Sequence, residues 1–381
     1  MGHYTSITSA PWRVGILFSQ TGFMAVIEQT QLQATLLAIE EINAAGGVNG
    51  REIVPIHYDP GSSAPAFGQG AKRLMVENGV TTMFGCYTSS SRKAVLPVVE
   101  RLNGLLWYPT LYEGFEFSPN IIYTGAAPNQ NSVALYRFLI DNYGDRFFLI
   151  GSDYIYPRES NRIMRQLVRA GGGSVVGEAY VNLRASREDF LPLMRECRRL
   201  RPSAIFSTVV GDATTYLYQA YADAGFDPMV MPISSLTTTE AEIRAMGCDV
   251  GEGHITAAPY FEEVGGGANH SFVARYKKRY GADEATNMCV EAAYFQVHIF
   301  ARALARTNSL ETDILRPMVL GAEFDAPQGR IAINPASGHT DLWTRIGRAN
   351  HRGRFDILWE SCAPVSPDPY LVGYGARAAR L

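Results

Sequence analysis

The stretch RFFLIG (Arg146–Gly151), followed by the polar turn Ser152-Asp153-Tyr154-Ile155-Tyr156-Pro157 and the helical segment Glu159–Ala170, decides the fold. A six-residue apolar run, too short for a buried helix and closed by turn residues, reads as a strand buried on both faces. A helix of about twelve residues behind it makes a strand–turn–helix unit of a parallel sheet. The same rhythm has already run once. Val14–Ser19, Ile53–Tyr58, Thr82–Gly85 and Leu105–Tyr108 read as strands. Helices are expected at Met24–Ala45, stopped by Gly46-Gly47, near Pro65–Asn78, and from Ser90. At Arg146 the rhythm restarts. It continues through strands at Ser174–Val181, Ala204–Thr208, Val230–Ile233 and His254–Ala258, with helices between them. Ser186 and Asp189 have the spacing of a capping box opening the helix to Arg199.

Beyond Tyr260 the pattern changes. Helical stretches at Ser271–Tyr280 and Val290–Ala305 precede short strands around Gly329–Ile333, Asp341–Gly347 and Arg354–Trp359. The long helices predict a return of the chain to the first α/β set, and the last strands a further crossing. The expected fold is therefore α/β, two Rossmann-like lobes joined by a hinge of several crossings, with a ligand cleft between them. The lobe boundaries are expected at 13–125 plus about 260–333, and 126–259 plus about 334–375.

Composition excludes several classes of function. The 381 residues are 46% apolar and 19% charged, which excludes general disorder. The net charge of −3 argues against electrostatic binding to nucleic acid or to anionic membranes. No apolar run reaches the ~18 residues of a membrane span. No basic and apolar leader precedes Arg13, so the protein is expected in the cytoplasm, or in the periplasm if a signal has been removed; Met1-Gly2-His3 reads as native or as a cloning scar. Five scattered cysteines, an odd number without CxxC, form neither a disulfide framework nor a zinc knuckle. Nucleotide-binding glycine loops, GxSxG and HExxH are missing, and the seven histidines lack ligand spacing. No catalytic site, metal or cofactor is expected.

Polar and aromatic residues gather just past the strand ends, where open α/β sheets bind ligands. These loops are Cys86–Ser91, Tyr108–Tyr112, Ser152–Pro157, Thr208–Gly211 and Ser234–Thr239. Ser89–Ser91 stands at a helix start, where hydroxyl and N–H groups can hold an oxygen or simply cap the helix. The loops are rich in hydroxyls and poor in cations, which points to a neutral polar ligand.

The same residues carry a resemblance. Gly85-Cys86-Tyr87, Ser91–Val95, Tyr108-Pro109-Thr110, Tyr112–Glu116, Ala127–Asn131, Gly151–Asn161, Phe206–Gly211, Ser235–Thr238 and Asp325–Gly329 together resemble the AmiC-type amide sensor of aliphatic amidase operons. More broadly they resemble the amide/urea branch of the type I periplasmic-binding-protein fold, the Venus-flytrap architecture. The resemblance implies a non-enzymatic receptor for acetamide-like amides or urea. Such a receptor holds an RNA-binding antitermination regulator inactive until inducer arrives, without touching nucleic acid or membrane itself. It also implies pocket residues: Ser89 and Thr110 as hydroxyls on the amide, Tyr87, Tyr108, Tyr154 and Tyr156 as aromatic walls, and Val210 and Thr237 from the second lobe. Leu111 stands where the sensors carry proline, and serines and threonine surround Ser89 where they carry bulkier residues, which puts the size of the ligand in question.

Other readings stay open on the residues alone. A substrate-binding subunit of an ABC transporter for urea, short amides or branched amino acids has the same fold. An amino-acid receptor needs a partner for the ammonium group, with Glu113, Asp153 and Glu240 as candidates. An amide hydrolase lacks a nucleophile–base pair. A homo-oligomer is compatible with the sequence.

Overall fold

The computed structural model describes residues 10–372. Met1-Gly2-His3 and the last three residues of the expected second lobe, 373–375, lie outside the described residues. Strands β1 (Trp12–Leu17), β2 (Ile53–His57), β3 (Thr82–Gly85), β4 (Leu105–Tyr108) and β5 (Ile121–Tyr123) form a parallel sheet in the order β2-β1-β3-β4-β5. Strands β6 (Arg146–Ser152), β7 (Ser174–Val181), β8 (Ala204–Thr208), β9 (Ile233–Ser235) and β10 (Ile255–Ala258) form the parallel part of a second sheet. A small antiparallel sheet contains β11 (Glu323–Ala326), β12 (Gly329–Ile333) and β13 (Thr340–Asp341). Strands β14 (Arg345–Ala349) and β15 (Phe355–Glu360) then extend the second sheet antiparallel, in the order β15-β14-β10-β9-β8-β6-β7.

The α/β alternation and the two-sheet architecture are as expected. Helix Met288–Thr307 is apolar on nearly every face because it is buried between helix Ala25–Ala44 and the first sheet. Phe300 meets Phe84 and Trp107 edge-on at centroid distances of 5.4 and 6.3 Å, and Gln296 accepts from the Thr124 hydroxyl at 2.9 Å. The chain therefore does return to its first sheet. Ser186 caps helix Arg187–Leu200 as its spacing predicts, its backbone N–H donating to Asp189 at 2.8 Å.

Three chain passages link the two large sheets, after β5, after β10, and between β13 and β14. They are tied to one another. The Gln130 amide donates to Thr340 O at 2.8 Å and Val365 O at 2.7 Å, and the Thr340 hydroxyl donates to Tyr123 O at 2.9 Å. The guanidinium of Arg345 donates to Pro259 O and, at 2.9 Å, to Gln328 O. His339 lies flat on Tyr123 with ring centroids 4.1 Å apart.

Some expected boundaries are corrected. The strand expected at Val230–Ile233 is β9, Ile233–Ser235; Met229 and Val230 are exposed in the turn before it. The run Asp341–Gly347 breaks at Leu342–Thr344, where the chain leaves the small sheet for the large one. Strands β5 and β11 and helices Ser132–Asn142 and Thr312–Val319 were not anticipated. No helix among the described residues is long and apolar enough to cross a membrane.

Candidate functional site

The loop after β3 turns at Cys86, in the left-handed region at φ 70°. Thr88, not a serine, caps helix Ser89–Arg101: its Oγ1 accepts from Ser91 N at 3.1 Å. Ser89 is thereby released from capping. Its hydroxyl donates to Glu113 Oε2 in a short hydrogen bond and accepts from Arg92 Nη1 at 3.2 Å. As the first two residues of the helix, Ser89 and Ser90 leave N–H groups without an acceptor inside it.

Past β4, Thr110 Oγ1 accepts from Gln31 Nε2 at 3.0 Å and donates to Cys86 O at 3.4 Å. Gly125 lets the backbone of Thr110 and Leu111 lie against it; a Cβ there would stand 2.0 Å from Thr110 C. On the second sheet, Tyr154 precedes helix Ile155–Ala170 and Tyr156 sits in its first turn, 6.3 Å apart by ring centroids. Val210 N donates to Ser152 Oγ at 3.3 Å, and Thr237 Oγ1 donates to Val209 O at 3.3 Å.

Eight residues from these loops line one space between the two large sheets: Tyr87, Ser89, Thr110, Leu111, Tyr154, Tyr156, Val210 and Thr237. All of the walls of this space except Tyr154 are buried. The lobes are closed over it, leaving room between the walls for no more than about one water-sized body. Tyr108, expected as a wall, is not among the lining residues. It is fully buried behind them, its hydroxyl donating to Tyr87 O at 2.7 Å, so it supports the loop.

The walls carry no charge, but charges stand directly behind Ser89. Arg92 is completely buried. It pairs with Glu113 at 3.1 Å and with Glu116 at 2.7 Å, and its guanidinium lies 4.9 Å over the Tyr108 ring and 4.7 Å over Tyr112. Lys93 reaches Glu116 at 2.8 Å, so two cations balance two carboxylates. Burial works to raise the Glu116 carboxyl, but Arg92 and Lys93 beside it prevail and hold it down at about 2. Burial pushes the Tyr87, Tyr154 and Tyr156 hydroxyls up, so they stay protonated and able to donate. The Tyr156 hydroxyl, although near Ser160, completes no hydrogen bond of good geometry among the described residues.

The three candidate ammonium partners stand apart from the cavity wall. Asp153 pairs with Arg158 at 2.6 Å on the surface. Glu240 is buried elsewhere, accepting from Glu262 N at 2.9 Å, and burial pushes it up to about 8. Glu113 reaches the cavity only through Ser89. No group of three or more His, Cys, Asp or Glu side chains among the described residues could hold a metal ion.

One feature of the cleft edge escaped the sequence reading. Asp212 N donates to Phe23 O at 3.3 Å, joining the loop after β8 to the loop after β1. Gly211, at φ 67°, makes the approach possible; a Cβ there would stand 2.6 Å from Phe23 O. The glycine ending Val209-Val210-Gly211 was the available signal.

Residues 12–375 match the family described as periplasmic binding protein domain. The chain belongs to this family. It is similar to the leucine-, isoleucine-, valine-, threonine- and alanine-binding protein of Pseudomonas aeruginosa, at 22% identity over 82% of this chain and 83% of that one. A limonene hydroxylase of Geobacillus stearothermophilus matches at 29% identity over 126 residues, which are 33% of this chain and only 23% of the hydroxylase. In structure the chain is similar to the solute-binding protein of an ABC transporter from Rhodopseudomonas palustris HaA2, solved with p-hydroxybenzoic acid. There the TM-score is 0.86 at 19% identity, over 95% of this chain and 99% of that one. The fold is the two-lobed α/β fold of type I periplasmic binding proteins.

Proposed function

We infer that this chain is a solute-binding subunit of an ABC-type importer, working in the periplasm, whose lobes close over a small uncharged polar ligand, a short primary amide or urea. In this reading the lobes are 13–125 with about 260–341, and 126–259 with about 342–375. The second boundary is drawn later than 334 because β13 stays with the small sheet. Transport is supported by the family and by relatives that bind amino acids or p-hydroxybenzoic acid. The ligand class is supported by the chemistry of the cleft walls, which must part to admit an amide.

The carrying observation is a small interlobe space with hydroxyl and phenol walls, no cation on them, and a carboxylate one residue behind. An amide offers a carbonyl acceptor and two N–H donors without the cost of burying an ion. A carboxylate ligand would face Glu113 through Ser89 with no cation on the wall. Calorimetric titration with urea, acetamide, butyramide, leucine and p-hydroxybenzoate tests the reading. For acetamide, with four heavy atoms, the ceiling of about −1.5 kcal/mol per atom corresponds to a Kd no tighter than tens of micromolar. Binding of leucine or p-hydroxybenzoate in place of amides would overturn the ligand class.

A second reading, a cytoplasmic amide sensor holding an antitermination regulator, is favoured by one observation. All five cysteines are free thiols, and Cys362 is exposed, as suits a reducing compartment. Co-expression with an RNA-binding regulator encoded beside the gene separates the two. A complex that amide weakens about 5- to 150-fold would establish the sensor.

A further inference from the structure

We propose that Glu113 is a positioning residue that sets the hydrogen-bond polarity of Ser89, so that the cleft reads an N–H donor and rejects a carboxylate. This rests on the cleft being the binding site for a small ligand.

A serine hydroxyl has one proton and two lone pairs. Here the proton is committed to Glu113 Oε2, and one lone pair accepts from Arg92 Nη1 at 3.2 Å. What remains for the cavity is a lone pair. Arg92 cannot lend its charge to the ligand instead: it is fully buried, and its Nε, Nη1 and Nη2 donate to Glu116, Ser89 and Glu113. The two wall threonines are arranged alike. The Thr110 proton is directed to Cys86 O and the Thr237 proton to Val209 O, so each turns acceptor capacity to its surroundings. Ser89 alone is oriented by an ionic pair, and its orientation therefore depends on a residue that never touches the ligand. Glu113 is also one of the two carboxylates that balance Arg92 and Lys93.

Acetamide and acetate have the same shape and differ in an NH₂ group against an oxygen anion, so they are the probes. In Glu113→Gln the side-chain amide can donate to Ser89, which frees the serine proton for the cavity, and the cluster gains one positive charge. Wild type should favour acetamide over acetate by about 100-fold or more, since a hydrogen-bonding site discriminates steeply against an analogue that leaves its groups unpaired. The variant should lower that ratio at least about tenfold, through weaker acetamide and stronger acetate binding. Glu116→Gln adds the same charge without touching Ser89, and should move the ratio by about threefold or less if polarity rather than charge decides. Ser89→Ala keeps the carboxylate behind the wall, so acetamide weakens about tenfold and acetate gains nothing.

Parallel loss of both ligands in Glu113→Gln would reduce Glu113 to a structural role and overturn the inference, with the binding site intact. An equal shift in Glu116→Gln, or an acetate gain in Ser89→Ala, would overturn it too. Binding of neither probe to wild type would remove the site reading and the inference together.

Discussion

Replacing Gly211 by alanine should separate the energy of cleft closure from the stability of the lobes. The added Cβ would stand 2.6 Å from Phe23 O and 3.3 Å from Met24 Sδ, across the cleft edge. A relaxed carbon–oxygen approach is about 3.3 Å or more, so the closed edge must part by about 0.7 Å. The Asp212 N to Phe23 O hydrogen bond, already 3.3 Å long, then opens to about 4 Å and forfeits about 0.5–1.5 kcal/mol. With the loosened packing of Leu111, Val210 and the tyrosines around the ligand, affinity should fall by about 1–3 kcal/mol, or 5- to 150-fold. A second cost, of order 1–3 kcal/mol, arises from the left-handed backbone at φ 67° and burdens the open and closed forms equally. It appears in thermal unfolding of the ligand-free protein and not in the binding ratio. Calorimetry on a short amide, with solution scattering to follow closure, reads the two separately. A lower melting temperature with unchanged amide affinity and an unchanged ligand-induced contraction would refute the role of this edge in closure.

Tyr156→Phe removes a hydroxyl that, among the described residues, has Ser160 nearby but no hydrogen bond of good geometry, so thermal stability should hold or rise slightly while amide affinity falls by about 1–2 kcal/mol; equal losses in both would return the hydroxyl to a structural role. Leu111→Ala should enlarge the cavity and favour butyramide over acetamide by about 1–2 kcal/mol relative to wild type, at about 0.8 kcal/mol per methylene; an identical ratio by calorimetry would take Leu111 out of size selection. Glu28, Glu240 and Glu291 are pushed by burial from a usual value of 4.5 up to about 8, so each keeps in the fold a proton that the unfolded chain has released. Their contribution is complete below pH 4.5 and is lost as pH rises through 8, at up to about 1.4 kcal/mol per pH unit for each group. Glu28→Gln should therefore flatten the fall of melting temperature between pH 5 and 8, and an unchanged slope would count against a protonated Glu28.

Strands and helices were legible where period and length agreed, as at Arg146–Ser152 or Met288–Thr307. Strand β5, three residues behind Ser118-Pro119-Asn120, is too short for any period to register. The misplacement of β9 came from Met229 and Val230, apolar residues that remain exposed in a turn. In the site, the strand-end loops located eight wall residues, because a parallel sheet brings its carboxyl ends to one edge. Tyr108 is the last residue of its strand and stands behind the wall, its hydroxyl on Tyr87 O. The Arg92–Glu113 pair and the Phe23–Gly211 edge join residues far apart in the chain, and such contacts leave no local pattern. Ser89 escaped its capping role only because Thr88 holds the cap, a choice that side-chain geometry makes and residue type does not.

The late helix Met288–Thr307 has a consequence for synthesis. All five strands of the first sheet have been made by Tyr123, yet the helix that covers Phe84 and Trp107 is not complete until Thr307. At about 5–20 residues per second the ribosome needs about 10–40 s for the intervening chain. Throughout that interval an aromatic face is bare on the nascent polypeptide, while the entire parallel part of the second sheet emerges and can condense. The parallel part of the second sheet is thus positioned to condense before the first sheet is covered, although β14 and β15, which complete its edge, come later still. A holdase that binds exposed aromatic surface would find a lasting target at residues 82–108, before the protein has acquired a cleft at all.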